Sequence, residues 1–238
     1  MLIDSSSSVL LLTAVVVGVT HTLLGPDHYL PFVALAKARK WSVRKTLLLT
    51  GICGIGHVLG SIALGAIGVV AGWSLGSLEW IESARGTIAA WLLAGMGAIY
   101  LAWAIKGLGR NEQHSHAHVH ADGTIHRHPH THHGEHAHPH LANQRHTVTA
   151  WSLFIIFIFG PCEAFIPILF FPAVQHDWLL AAMTTFLFAI STIGTMMGTV
   201  YLMQKGMEWI PFKRFSRYGH VMAGLIILLC GTAIHLGL

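Results

Sequence analysis

Charge is scarce in this chain. Only 10% of its 238 residues are Asp, Glu, Lys or Arg, while 53% are hydrophobic. A soluble domain carries about a quarter of its residues charged, so this balance argues against one. Cysteine is scarce too: Cys53, Cys162 and Cys230 all lie in apolar runs, which is not the spacing of a secreted disulfide framework. No Lys or Arg precedes Lys37, so the first apolar run lacks the basic region of a cleaved signal peptide and reads as a retained helix. No Gly-rich loop ending in Lys-Ser/Thr is present, which argues against direct ATP hydrolysis. No catalytic constellation stands out, so the chain is expected not to be an enzyme and to hold no prosthetic group. The few basic residues sit in loops between apolar runs, a pattern of membrane topology rather than of nucleic-acid binding.

What is present is a set of apolar runs long enough to cross a bilayer core of about 30 Å. Six spans are expected, at about 9–36, 46–72, 86–106, 149–174, 178–204 and 217–237. Lys37, Arg39, Lys40, Arg44 and Lys45 follow the first span. Lys106, Arg110, Arg127 and Arg145 follow the third, and Lys205, Lys213, Arg214 and Arg217 the fifth. The opposite side has Arg85 with Glu79, Glu82 and Asp177. The positive-inside rule then puts both termini outside and the three basic loops in the cytoplasm. A bacterial plasma (inner) membrane is the expected location.

Two spans carry a matching interruption. Gly25-Pro26-Asp27-His28 breaks the first, and Gly160-Pro161-Cys162-Glu163 breaks the fourth. Proline lacks an N–H and clashes with the preceding turn, so each span is expected to be a broken helix. With three spans per half, the halves would enter the membrane from opposite sides, as inverted repeats do. Gly56-His57-Val58-Leu59-Gly60-Ser61 and Gly194-Thr195-Met196-Met197-Gly198-Thr199 recur in the same order in the second spans. The expected fold is therefore an all-α membrane protein of six helices in two inverted three-helix repeats. Residues 1–106 form one half, 149–238 the other, and 107–148 a loop between them.

Ionisable residues inside apolar runs are costly and default to function. Asp27 and Glu163 are the acidic residues that fall within the expected spans. Asp27 offers an oxygen and His28 a nitrogen, which suits a divalent first-row cation better than Mg or Ca. His21 lies seven residues before His28, near one face of a helix if that helix were unbroken. His57 is flanked by Gly56 and Gly60, so another helix can approach it. The metal-ligand candidates are His21, Asp27, His28, His57, Cys162 and Glu163. Each has a plain alternative: Asp27 as a helix cap, His57 bonded to a backbone carbonyl, Cys162 as a small buried hydrophobe, Glu163 as a neutral, hydrogen-bonded carboxyl. His220 and His235 read as interfacial.

The loop 107–148 holds thirteen of the 19 histidines. It has no hydrophobic period and is expected to be disordered. His114, His116, His118, His120, His126, His128, His130, His132, His133, His136, His138 and His140 are candidate loop ligands for Ni, Co, Zn or Cu. A pH-sensitive polar linker is the alternative.

His21-Thr22-Leu23-Leu24-Gly25-Pro26-Asp27-His28 resembles the nickel/cobalt transporter signature, a His, a short spacer and an Asp-His pair in a membrane helix. That signature has a four-residue spacer; here it has five. The wider likeness is to the LysE-like superfamily, including urease-accessory-type permeases, nickel/cobalt effluxers with a His-rich loop, and thiol-disulfide carriers of cytochrome biogenesis. It covers spans one, two and four and the loop. The resemblance implies transport of a divalent transition metal, nickel or cobalt first, selected at these residues. Partners would then be the metal substrate, the lipid bilayer and a metallochaperone or metalloenzyme-maturation protein. Two alternatives remain: a thiol-disulfide electron carrier, for which Asp27 stands where the first half would need a cysteine, and a metal chaperone or sensor without flux.

Overall fold

The computed structural model describes residues 5–108, 114–119, 125–130, 143–208 and 218–236. Helix α1 (Ser5–Leu24) is followed by a single 3-10 turn (Pro26–His28) and the short α2 (Leu30–Ala38). Then come α3 (Val43–Val70) and α4 (Leu75–Leu108). After the loop, α5 (Asn143–Phe159) and α6 (Phe165–Val174) are separated by a second break, and α7 (Trp178–Glu208) and α8 (Gly219–His235) complete the chain.

Local sequence sets several of these ends. Ser42 caps α3, its hydroxyl oxygen accepting the Lys45 N–H at 3.3 Å. At the other end Gly72 takes φ +70, and Trp73 N–H returns to Gly68 O, the closure a left-handed residue allows. Asp177 accepts the Leu180 N–H at 3.0 Å and so starts α7. At the two breaks the agent is proline.

Among the described residues, four helices are long and apolar enough to cross a membrane: Ser5–Leu24, Val43–Val70, Leu75–Leu108 and Trp178–Met207. Ala150–Phe159, Phe165–Val174 and Gly219–His235 are apolar but shorter. Large apolar side chains stand exposed along the long helices, among them Leu12 and Val16, Leu48 and Ile55, Ile88 and Ile99, and Phe186 and Ile190. Buried hydroxyls bond back into their own helices: Thr22 to Gly18 O and Thr50 to Thr46 O. Apolar side chains outside, with hydroxyls such as these bonded within their own helices, are compatible with a membrane protein.

Two helix boundaries differ from the sequence expectation. The first break falls after α1, whose 20 residues already rise about 30 Å, rather than midway along a single span. Helix α4 starts at Leu75, not near 86. Glu79, Glu82 and Arg85 end an apolar window in the sequence, yet Glu82 is fully buried and paired with Arg85. It is a fully buried acidic residue inside a helix long enough to span, one the apolar-run reading leaves out.

Helix α4 packs most extensively against α8; α1 packs on α7, and α3 on both α7 and α5. At the α4–α8 crossing a Cβ on Gly224 would lie 2.7 Å from the Leu101 backbone, so a small residue lets the helices touch. One apolar cluster gathers Phe32, Leu35, Leu93, Phe157 and Ile227. A second gathers Ala14, Leu78, Cys162, Phe165 and Phe188. The chain passes from the first to the second between Phe157 and Cys162, across the second break.

In the loop, β1 (His114–Val119) and β2 (Ile125–His130) pair antiparallel, where the sequence reading expects no regular structure. His114 stands opposite His130, His116 opposite His128 and His118 opposite His126. The alternation of His with Ser, Ala and Val carries the two-residue strand period. His120, His132, His133, His136, His138 and His140 lie outside the described residues.

A candidate metal centre between two helix breaks

A helical N–H donates to the carbonyl four residues back, so a proline leaves one carbonyl without its donor. Pro161 deprives Phe157 O in this way. Gly160 N–H turns back to that oxygen at 3.1 Å, and His57 Nδ1 approaches it at 3.3 Å. A carbonyl only accepts, so the proton sits on Nδ1 and the lone pair on Nε2. His57 Nε2 is buried and has no hydrogen-bond partner.

The first break produces the same result at His28. Its Nδ1 lies 3.0 Å from Gly25 O and 3.3 Å from Asp27 Oδ1, both acceptors. His28 Nε2 is likewise buried and unpartnered. Two imidazoles thus present bare nitrogens inside the protein, each oriented through its other nitrogen. That is the arrangement in which histidine binds metal ions. An unsatisfied buried polar atom calls for an explanation, and a bound cation supplies one.

The glycine of each Gly-Pro pair makes room for an imidazole. A Cβ on Gly25 would meet His28 Nδ1 at 2.5 Å, and one on Gly160 would meet His57 Nδ1 at 2.9 Å. The rings of His21, His28 and His57 form a triangle, with centroids 4.8 Å apart for His21–His28, 5.2 Å for His28–His57 and 6.4 Å for His21–His57. Cys162 Sγ, fully buried, lies 3.8 Å from His21 Nε2. One ligating atom each from His21, His57 and Cys162 fall within 4.8 Å of one another, close enough to hold one ion. A small cavity of about 20 Å³ opens beside this group, lined by Asp27, His28, His57, Phe157, Gly160 and Pro161 among others. It admits a water-sized occupant, and both Gly-Pro motifs face it.

The structure brings together His21, Asp27, His28, His57 and Cys162. It does not bring in Glu163, which stands exposed next to Cys162. Residues 161–164 run as a turn rather than a helix or strand, so neighbours point in unrelated directions: Cys162 inward, Glu163 outward. His235 packs on the ring of Trp91, and His220 Nδ1 is 2.8 Å from the Tyr100 hydroxyl; neither belongs to the centre.

Sequence reasoning misses Glu82, Arg85 and Ser61. Glu82 accepts hydrogen bonds from the Ser61 hydroxyl, from Arg85 and, at 2.9 Å, from the Cys162 N–H. The available signal is an acid and a base three residues apart just before an apolar run, a spacing at which they meet on a helix.

Chemically, the groups within reach of one ion are two imidazoles and a thiol, with a third imidazole, His28, and the Asp27 carboxylate beside them on the cavity wall. This set suits a late first-row divalent cation rather than Mg or Ca, which prefer all-oxygen shells. The chain matches no family model, no curated protein and no solved structure.

Proposed function

We propose that this protein transports a divalent transition-metal cation, nickel or cobalt first, through a site between the two Gly-Pro breaks. The observation that carries the reading is the pair of buried, unpartnered Nε2 atoms of His28 and His57, beside a cavity that both breaks line. Broken helices at such a site are a device of transporters, where freed backbone and side chains hold an ion in a protein-lined cavity. The ion is cargo, bound by His21, His28, His57, Cys162 and Asp27 and then released.

The reading extends to a six-span, inverted-repeat architecture with both termini outside and the histidine loop in the cytoplasm. Helix packing supports the repeat. Exchanging the halves maps the contact of α1 with α7 onto that of α5 with α3, and both exist. The α4–α8 contact maps onto itself. The basic loops support the orientation.

A thiol-disulfide carrier is disfavoured, because Asp27 occupies the first half's matching position and Cys53, Cys162 and Cys230 lie in three separate elements, α3, the second break and α8. The test is flux of Ni, Co and Zn into proteoliposomes. Selective uptake that saturates supports the reading. Metal binding without flux overturns it in favour of a chaperone or sensor.

A further inference from the structure

In an unbroken helix the Cys162 N–H would donate to Ile158 O, four residues back. The break at Gly160-Pro161 separates these two groups, and both are then met by one ion pair on α4. Glu82 Oε1 accepts the Cys162 N–H at 2.9 Å. Arg85 Nη2 donates to Ile158 O at 2.7 Å. Glu82 Oε2 and Arg85 Nη1 close the pair, and the Ser61 hydroxyl from α3 donates to Glu82 Oε1. The carboxylate is fully buried and the guanidinium 15% exposed. A salt bridge has been inserted where one helical hydrogen bond is missing.

We propose that Glu82 and Arg85 are positioning residues that hold Cys162 in the metal centre. The pair spans the break and fixes the backbone on either side of Pro161. It thereby sets where the Cys162 thiol stands relative to His21 and His57. Neither residue touches the ion. The role rests on the metal-site reading, but the latch itself does not. The latch also accounts for a charged pair deep in a helix that the apolar-run reading stops short of, since charges so placed need a partner and a purpose.

The test uses the full-length chain in detergent with Cys53→Ala and Cys230→Ala, so that Cys162 is the sole thiol. Two readouts are followed. One is the sulfur-to-metal charge-transfer band on adding Co²⁺, which the histidine loop cannot produce. The other is the rate at which a small maleimide alkylates Cys162 without metal. In the double variant Glu82→Leu/Arg85→Met neither charge is left unpaired, a replacement buried ion pairs generally tolerate. That variant should lose the band while still binding Co²⁺ through histidines. Its Cys162 should alkylate faster by about tenfold, the equilibrium effect of losing a charge-assisted bond. Glu82→Gln keeps an acceptor oxygen for the amide and should restore the band and most of the protection. A folded double variant that keeps both band and protection overturns the proposal. Should that variant not fold, Arg85→Lys is used, which keeps the charge but offers one nitrogen where Arg85 uses two, one on Glu82 and one on Ile158 O; its Cys162 should alkylate faster, and an unchanged rate overturns the proposal instead. A wild-type chain with no band overturns the metal reading, and loss of protection in the double variant then still supports the latch.

Discussion

The two helix breaks share a sequence device and differ in who repairs it. At Gly25-Pro26 the repair is local: the Tyr29 hydroxyl donates to Leu23 O at 3.3 Å, and His28 turns its Nδ1 onto Gly25 O. At Gly160-Pro161 the repair comes from other helices. Arg85 of α4 takes Ile158 O, Glu82 takes the Cys162 N–H, and His57 of α3 meets Phe157 O. Leu23 and Ile158 stand at the same offset from their glycines, so the contrast compares like positions. A locally repaired break can keep its shape as its neighbours move. A break held by α3 and α4 is tied to them, and its geometry follows theirs. The first half thus supplies a self-contained Asp-His element, and the second a thiol whose position depends on distant residues.

The largest expected effect breaks this comparison at its charged end. Arg85→Ala leaves Glu82 buried without its cation and should destabilise the protein by about 3–5 kcal/mol. Tyr29→Phe removes one neutral bond and should cost about 1 kcal/mol. Thermal unfolding of both variants in the same detergent measures the difference; equal losses would show that the two breaks are held alike.

Gly160→Ala and Gly25→Ala come next. Each adds a Cβ against an imidazole Nδ1. Both should weaken Ni²⁺ binding by roughly 10–100-fold, the range for disturbing a ligand's supporting contacts. Titration calorimetry on protein lacking residues 112–146 isolates the centre from the loop. Unchanged affinity in both variants would show that the imidazole positions are not set by the breaks.

Removing residues 112–146 should itself lower the number of ions bound and alter flux at low metal concentration, leaving the thermal midpoint near that of the full chain. Unchanged stoichiometry would remove the loop from metal handling. The smallest effect is expected for Glu163→Gln, because that carboxylate is exposed and outside the centre. Flux within about twofold of wild type is the expected result, as for surface changes away from a site; a large loss would return Glu163 to the ligand set.

Much of the first half was legible from sequence because its chemistry is contiguous: His21, Asp27 and His28 lie within one apolar run, and a proline marks the break. His57 was legible as an isolated ionisable residue between glycines, though not the carbonyl that orients it. The second half was read less well for a physical reason. Residue types make both Cys162 and Glu163 candidate ligands, and only the turn after Pro161 decides that Cys162 is buried and Glu163 exposed. Glu82 and Arg85 read as loop charges from sequence because hydropathy scores each charge singly and is blind to their mutual neutralisation within α4. In the loop, the composition points to disorder while the alternation of His114, His116 and His118 with Ser115, Ala117 and Val119 carries the period of the β1–β2 hairpin, so two signals in one segment point to different structures.

His57 joins the two halves: it orients on Phe157 O at the second break, and its ring lies 5.2 Å from that of His28 at the first. The most direct test of the account is therefore Ni²⁺ flux in proteoliposomes by His57→Ala, with insertion and monodispersity checked. The account predicts a loss of more than about tenfold, the least that removing even a supporting contact of a metal ligand costs. Wild-type flux and affinity from a folded, inserted His57→Ala protein would contradict it.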